Sequence, residues 1–427
     1  MRPIRLPEPP GVGGMETPEI FTGAAAATVV VRRAVVIGNG SPGAENQCLG
    51  LVRALGLADH LTLYRVTRPQ GGINEWLHFL PVSLHKLIDQ VLRQFFRNTR
   101  LAPVVEGRKH YRVPNGGSVG VGLSSVLEAD AKKIVAVARD TFEKEGPTLI
   151  VACGWDTISY SSSIRHLASG NVFVIQIQHP RSRLDRFDLV VTPRHDYYAL
   201  TAGGQEEIPR LFRRWITPQE PPGRNVVLTV GALHQADSAA LRLAAIAWHD
   251  ELAPLPKPLL VVNIGGPTRN CKYGVDLARQ LIASTYNVLD SCGSVRVSFS
   301  RRTPRKVSDI ISKEFAGHPK IYIWDGEEPN PHMGHLAWAD AFVVTADSIS
   351  MLSEACSTGK PVYVIGTEYC KWKFSAFHKT LRERGVVRPF TGLEDISNSW
   401  SYPPLNDAIE VATRVREAIA ERGWSVG

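Results

Sequence analysis

Short β-branched runs alternate with longer amphipathic stretches along most of this chain, and the alternation starts twice. In the first half the strand-like runs fall at 29–38, 149–153, 172–178 and 187–192, with helical patterns at 44–55 and 126–144. In the second half they fall at 226–231, 259–264, 295–300, 321–324, 342–345 and 362–365. Runs such as Leu149-Ile150-Val151-Ala152 lack the polar alternation of a half-exposed antiparallel strand. They suit strands buried on both faces, which is how helix-covered parallel sheets read. The expected class is therefore α/β, with two parallel-sheet domains facing a cleft. Segment 217–224, TPQEPPGR, sets three prolines and a glycine between the halves and reads as a linker. The expected domains are 29–216 and 225–427, the second ending in a helix.

Other classes are excluded by what the chain lacks. No apolar run reaches the ~18 residues needed to cross a bilayer; the best, 24–37, is cut by Arg32 and Arg33. Residues 1–28 mix Arg2 and Arg5 with Glu8, Glu16, Glu19 and clustered prolines. That is neither an acid-poor transit helix nor a signal peptide, so a mobile tail is expected. Six cysteines form no C-x-x-C pair, which argues against a zinc framework and for a reduced compartment. Forty-nine basic against 41 acidic residues leave a net charge of +8, suited to an anionic surface or an acidic partner. One helical pattern concentrates that charge. In 84–101, Leu84, Leu87, Ile88, Val91, Leu92, Phe95 and Phe96 share a face, and Lys86, Arg93, Arg97 and Arg100 lie on its polar side. Such a helix either packs on its own domain or meets lipid or a partner.

Several constellations could carry chemistry, and all sit where strands end. Gly38-Asn39-Gly40-Ser41-Pro42-Gly43 is a literal G-x-G-x-x-G between a strand and a helix. Pro42 supplies no N–H, and Asp59 is too near to serve as the usual ribose acid, so a tight turn is favoured over a dinucleotide site. Gly265 and Gly266 follow another strand, and Arg301 and Arg302 follow the next, where two guanidinium groups could clamp a diphosphate. The most specific segment is Thr345-Ala346-Asp347-Ser348-Ile349-Ser350, with Glu354 one to two helical turns further on. It resembles the donor-diphosphate helix of two-domain nucleotide-sugar glycosyltransferases (the GT-B type, two Rossmann-like domains). That resemblance implies Ser348 and Ser350 on the diphosphate and Glu354 on a ribose. His332 and His335 lie near Asp340 without a further clear ligand, so no metal is expected. Asp156, His179 and His195 follow strands where a base could sit, but none is assigned as catalytic.

A wider resemblance runs from about residue 30 to 425. Val35 to Gly40, Glu45-Asn46-Gln47-Cys48, Val66-Thr67-Arg68-Pro69, Ile177 to Arg181, Thr192 to Tyr197 and Thr229 to His234 carry it in the first part. Tyr322-Ile323-Trp324, Glu328 to Leu336 and Thr345 to Ser348 carry it in the second. In these motifs the chain resembles the plant Elongated Mitochondria fission-protein family. The resemblance implies a peripheral protein on the cytosolic face of the mitochondrial outer membrane, with a cytoplasmic pool. There it would recruit a dynamin-related GTPase without catalysis, with peroxisome fission as a related role. It implies no nucleic-acid partner and leaves self-association open. The adaptor role requires no cofactor; the alternative is a glycosyltransferase-like enzyme that binds a nucleotide or nucleotide sugar in the interdomain cleft.

Overall fold

A computed structural model describes residues 5–6, 29–67, 84, 87–88, 91, 126–209, 218–324 and 326–427. Most of the expected tail, together with Lys86, Arg93, Arg97 and Arg100, lies outside the described residues. Leu84, Leu87, Ile88 and Val91 are helical, as their spacing requires, and Leu84, Leu87 and Val91 are exposed.

The chain divides into two compact units. The N-terminal unit holds residues 24–190 and 415–427; the C-terminal unit centres on 191–414. The proline-rich 217–224 lies inside the second of these, and the chain passes between units at 190/191 and 414/415.

The N-terminal unit is built on β2 (Arg33–Gly38), β3 (Leu61–Arg65), β4 (Val126–Glu128), β5 (Thr148–Cys153), β6 (Val172–Ile177) and the start of β7 (Leu189–Pro193), within which the chain leaves the unit after Val190. Their order is β4-β3-β2-β5-β6-β7. The pairs from β4 through β6 are parallel, with Val36 opposite both Leu63 and Val151. Every residue of β5 and β6 is buried, so both sheet faces are covered, as the β-branched runs require. Helices α1 (Pro42–Ala54), α2 (Ala131–Asp140) and α3 (Ile158–Ala168) alternate with the strands.

Two sequence expectations are corrected here, and one strand is added. The run 29–38 is two strands: β1 (Val29–Val31) leaves the main sheet and pairs in parallel with β15 (Trp424–Val426) near the chain's end. The helix expected over 126–144 begins as strand β4, because the Asp130 carboxylate accepts from Lys132 and Lys133 N–H at 2.9 and 3.3 Å and starts α2 there. Strand β3 had no sequence reading; its Leu-Thr-Leu-Tyr-Arg mixes polar with apolar residues.

The C-terminal unit opens with β8 (Val226–Thr229) and α4 (Ser238–Ala247). It continues as β9 (Leu259–Ile264), α5 (Val275–Val288), β10 (Ser294–Phe299), α6 (Arg305–Phe315), β11 (Ile321–Ile323) and α7 (His332–Trp338). Then follow β12 (Ala341–Thr345), α8 (Ile349–Cys356), β13 (Val362–Ile365), α9 (Lys373–Glu383), β14 (Arg388–Pro389) and α10 (Asp407–Ala420). The sheet order is β11-β10-β9-β12-β13-β14, all parallel. Alternate residues of β9 feed opposite cores: Leu259 and Val261 on one face, Leu260, Val262 and Ile264 on the other. Each sheet therefore runs outward from its first strand, then reverses to the other side. That reversal is the switch point, β2/β5 in one unit and β9/β12 in the other, where doubly wound sheets leave room for ligands.

Candidate functional site

At the N-terminal switch point the glycine turn after β2 meets an internal carboxylate. Glu45, in the first turn of α1, accepts from Gly40 N–H at 2.9 Å through Oε1. The Arg65 guanidinium, at the end of β3, binds the same carboxylate with both prongs, at 2.8 and 2.7 Å. Glu45 is buried. A Cβ on Gly38 would lie 2.4 Å from Glu45 Oε1, so the glycine is needed for the carboxylate to seat. The G-x-G-x-x-G turn thus encloses a side chain from its own helix, and Gly40 takes φ +77°.

The C-terminal switch point repeats the device with different parts. Gly265 N–H donates to Thr345 Oγ1 at 2.8 Å, and Gly266 N–H donates to Asp347 Oδ2 at 2.7 Å. Thr345 Oγ1 in turn donates to Asp347 Oδ1 at 2.7 Å. Arg302 donates to Gly266 O at 3.2 Å and stands 3.5 Å from Asp347 Oδ2. A Cβ on Gly265 would lie 2.1 Å from Asp347 Oδ2, and one on Gly266 would lie 2.0 Å from the Arg302 carbonyl oxygen. Burial raises the Asp347 pKa above the ordinary carboxylate value, against the pull of Thr345, Gly266 N–H and Arg302.

A further closure holds the turn after β8. Asp407, at the start of α10, accepts from Val230 and Gly231 N–H, each at 2.8 Å. Ser353 Oγ accepts from Ala232 N–H at 2.9 Å and donates to Ile349 O at 2.7 Å. A Cβ on Gly231 would meet Ser353 Oγ at 2.4 Å. Burial raises the pKa of Asp407 as well.

The expected diphosphate residues therefore fall into separate groups. Gly265, Gly266 and Arg302 do converge, but around Asp347. Arg301 is exposed and makes none of these contacts. Ser348 is buried at the N-cap of α8, and its side chain makes no capping bond; Ser350 is half-buried. Glu354 is buried, with Oε2 2.9 Å from His332 Nε2. Burial pulls the His332 imidazole down, but the Glu354 carboxylate outweighs it and leaves the pKa above its usual value. Asp347, Ser353, Asp407 and the His332 partner of Glu354 were not assigned these parts from sequence. Their carboxylates and hydroxyls act on N–H groups far along the chain.

The remaining polar candidates are also accounted for. His335 is buried and held neutral, its pKa pushed down to about 3 by burial. Asp340 accepts from Leu259 N–H at 2.7 Å and pairs with Lys257 at 3.1 Å. His332, His335 and Asp340 thus do not converge on one point, and among the described residues no group of three His, Cys, Asp or Glu could hold a metal ion. His195 packs edge-on to Phe377, with its pKa pushed down to about 4 by burial. His179 Nδ1 accepts from Arg181 N–H at 3.0 Å, and Asp156 lies in the turn Trp155–Thr157.

Residues 42–419 match the family model described as Mitochondrial fission ELM1. The chain belongs to the Mitochondrial fission ELM1 family. It is 63% identical over 427 residues to the mitochondrial fission protein ELM1 of Arabidopsis thaliana, covering all of both chains. It is 29% identical over 295 residues to an uncharacterized protein of Rickettsia prowazekii (strain Madrid E), covering 66% of this chain and 82% of that protein. Among solved structures it is similar to the UDP-GlcNAc 2-epimerase of Methanocaldococcus jannaschii, at 11% identity and TM-score 0.47, covering 90% of this chain and 98% of that one. It is also similar to MurG of Acinetobacter baumannii, at 11% identity and TM-score 0.37, covering 92% and 93%. In this ELM1-family chain, no helix among the described residues is long and apolar enough to cross a membrane.

Proposed function

We propose that the chain is a mitochondrial fission factor that recruits a cytosolic dynamin-related GTPase to the outer mitochondrial membrane, without catalysis of its own. The observation that carries this reading is the 63% identity to the Arabidopsis fission protein over the full length of both chains. The site geometry supports the non-catalytic part. Backbone N–H groups that could cradle a phosphate at Gly40, Gly265-Gly266 and Val230-Gly231 already hold Glu45, Thr345 with Asp347, and Asp407. The exposed helical residues Leu84, Leu87 and Val91 support a surface role for 84–101, to which Lys86, Arg93, Arg97 and Arg100 would bring positive charge for anionic lipid or the partner.

The test is complementation in an Arabidopsis line lacking its relative, with the GTPase followed by fluorescence. The chain should shorten the elongated mitochondria and restore GTPase foci on them. Normal accumulation of the chain with no gain of foci would overturn recruitment. Reversing the charge of Arg93, Arg97 and Arg100 should release the protein from mitochondria while leaving its melting curve unchanged. Retention of that variant would remove 84–101 from the mechanism.

The competing reading is a nucleotide or nucleotide sugar bound in the C-terminal unit. The buried Glu354, oriented by His332 on the helix that leaves the switch point, is the observation in its favour. Saturable thermal stabilisation by a uridine diphosphate sugar, abolished by Glu354→Ala, would establish it. No shift with any nucleotide leaves the adaptor reading standing alone.

A further inference from the structure

We propose that Cys271 and Cys370 are an oxidative modification site, closing a reversible disulfide across the C-terminal unit. The two residues face each other in an isolated antiparallel bridge, flanked by a Lys371 N–H to Asn270 O bond of 2.8 Å. Directly opposed residues of an antiparallel pair hold their Cα atoms about 4.5–5.5 Å apart. That is within the ~4.4–6.8 Å a disulfide requires. The sulfurs already touch, with Cys370 Sγ 2.6 Å from Cys271 Sγ. The approach is fixed from both sides. Cys271 N–H donates to Thr268 Oγ1 at 3.1 Å, and Cys370 N–H donates to Thr367 O at 3.1 Å.

The other cysteines are placed differently. Cys48 and Cys153 also hydrogen-bond, but one is on α1, the other ends β5, and both are sealed, at 0% and 1% exposure. Cys292 and Cys356 belong to the cores on opposite faces of the C-terminal sheet. Cys370 keeps 8% exposure against 0% for Cys271, so it is the residue of the pair nearer to solvent and is taken as the first to be oxidised.

With hydrogen peroxide as the oxidant, the Cys370 thiolate attacks one peroxide oxygen. An S–O bond forms, the O–O bond breaks, and the departing hydroxide takes up the thiol proton as water. Cys271 then attacks the sulfenic sulfur. The S–S bond forms, the S–O bond breaks, and the second hydroxide leaves as water with the Cys271 proton. Two electrons and two protons pass from the thiols to one peroxide. The bond that Cys370 donates to Cys271, together with burial, raises the Cys370 pKa, so thiolate is scarce and the reaction is slow. The crosslink would join residues 99 apart, beside the Gly266–Asp347 closure; Cys370 Sγ lies 3.7 Å from Ala346 O.

The experiment treats the purified full chain with hydrogen peroxide, alkylates it in denaturant, and maps cysteine peptides before and after reduction. The expected result is one linked peptide pair, Cys271 with Cys370, lighter by two hydrogens and restored by dithiothreitol. The melting midpoint should rise on oxidation, and Cys271→Ser and Cys370→Ser should each lose that rise. Should a serine variant fail to fold, the native chain decides through the peptide map. In a folded Cys271→Ser chain, a dimedone probe should trap sulfenic acid at Cys370. Full alkylation of both cysteines after oxidation, or a crosslink confined to Cys48 and Cys153, would overturn the proposal.

Discussion

The two units solve one problem twice, and the difference lies in where the solution comes from. Each places a glycine turn at the switch point of its parallel sheet, and each fills that turn with an internal carboxylate beside an arginine. In the N-terminal unit the carboxylate is five residues from the N–H it binds: Gly40 to Glu45. In the C-terminal unit it is 81 residues away, Gly266 to Asp347, and it joins the ends of two adjacent strands. The local closure can form as soon as α1 forms. The distant one requires β9 and β12 already side by side, so it reports on the assembled sheet. Solvent treats them differently too. Glu45 keeps 8% side-chain exposure and is gripped by both prongs of Arg65, whereas Asp347 keeps none and meets Arg302, 53% exposed, at 3.5 Å.

The largest effect should come from filling the glycine spaces. Gly266→Ala would press its methyl group on the Arg302 backbone, which has no rotamer to yield, and should cost about 3 kcal/mol or prevent folding. Gly38→Ala meets the Glu45 side chain first, which can swing away, and should cost about 1–2 kcal/mol for the lost carboxylate bonds. Urea melts of both variants would show it, with Gly38→Ala/Glu45→Ala recovering part of the single loss. Equal losses at both positions would erase the distinction between backbone and side-chain obstruction.

Acid should separate the units next. His195 and His335 have folded pKa values of about 4 and about 3, set by burial, and both lie in the C-terminal unit. The unfolded chain binds protons there near pH 6.5 that the folded chain refuses. Their stabilising contribution is therefore complete above about pH 6.5 and is lost as pH falls towards 3–4, by on the order of 3 kcal/mol for His195 and roughly 5 kcal/mol for His335. Hydrogen exchange at pH 5 and pH 7 should show the C-terminal unit loosening first. Earlier loosening of the N-terminal unit would mean that these histidines do not set its acid limit.

Removing the closures themselves should rank in the same direction with smaller numbers. Asp347→Ala leaves Gly266 N–H and the Thr345 hydroxyl without their partner and should cost about 2 kcal/mol. Glu45→Ala leaves Arg65 able to reach water and should cost about 1 kcal/mol. Denaturant midpoints for the pair decide it, and the reverse order would show the local closure to be the stronger.

The smallest effect concerns pH and Asp347 alone. Its folded pKa is raised, so its contribution is complete below the unfolded value near 3.8 and declines as pH rises through the folded one. Asp347→Asn should flatten that part of the stability curve. A curve unaltered by Asp347→Asn would place the slope on another carboxylate, with Asp407 the next to replace.

Much of the fold was legible in the residues. Buried parallel strands need β-branched apolar runs, so β5, β6, β9 and β12 stood out without help. Strand β3 did not, because Thr62 and Arg65 break its apolar run. Nor did the split of 29–38 into β1 and β2, since the strand that pairs with β1 lies at 424–426. At the site, the glycines were visible because backbone that closely approached tolerates no side chain. Their occupants were not. The same glycine pattern serves a bound phosphate or an internal carboxylate, and a sequence read alone favours the ligand.

What the sequence determined by itself was the α/β class, the two parallel-sheet halves and the family. Those follow from periodicities and short motifs, which act within a few residues of one another. Only the tertiary structure decided that Gly266 N–H meets Asp347, that Val230 and Gly231 N–H meet Asp407, and that Cys271 touches Cys370. These contacts join residues 81, 177, 176 and 99 positions apart. They depend on strand order, and a side chain's hydrogen-bond partner across a sheet is set only once the strands lie side by side.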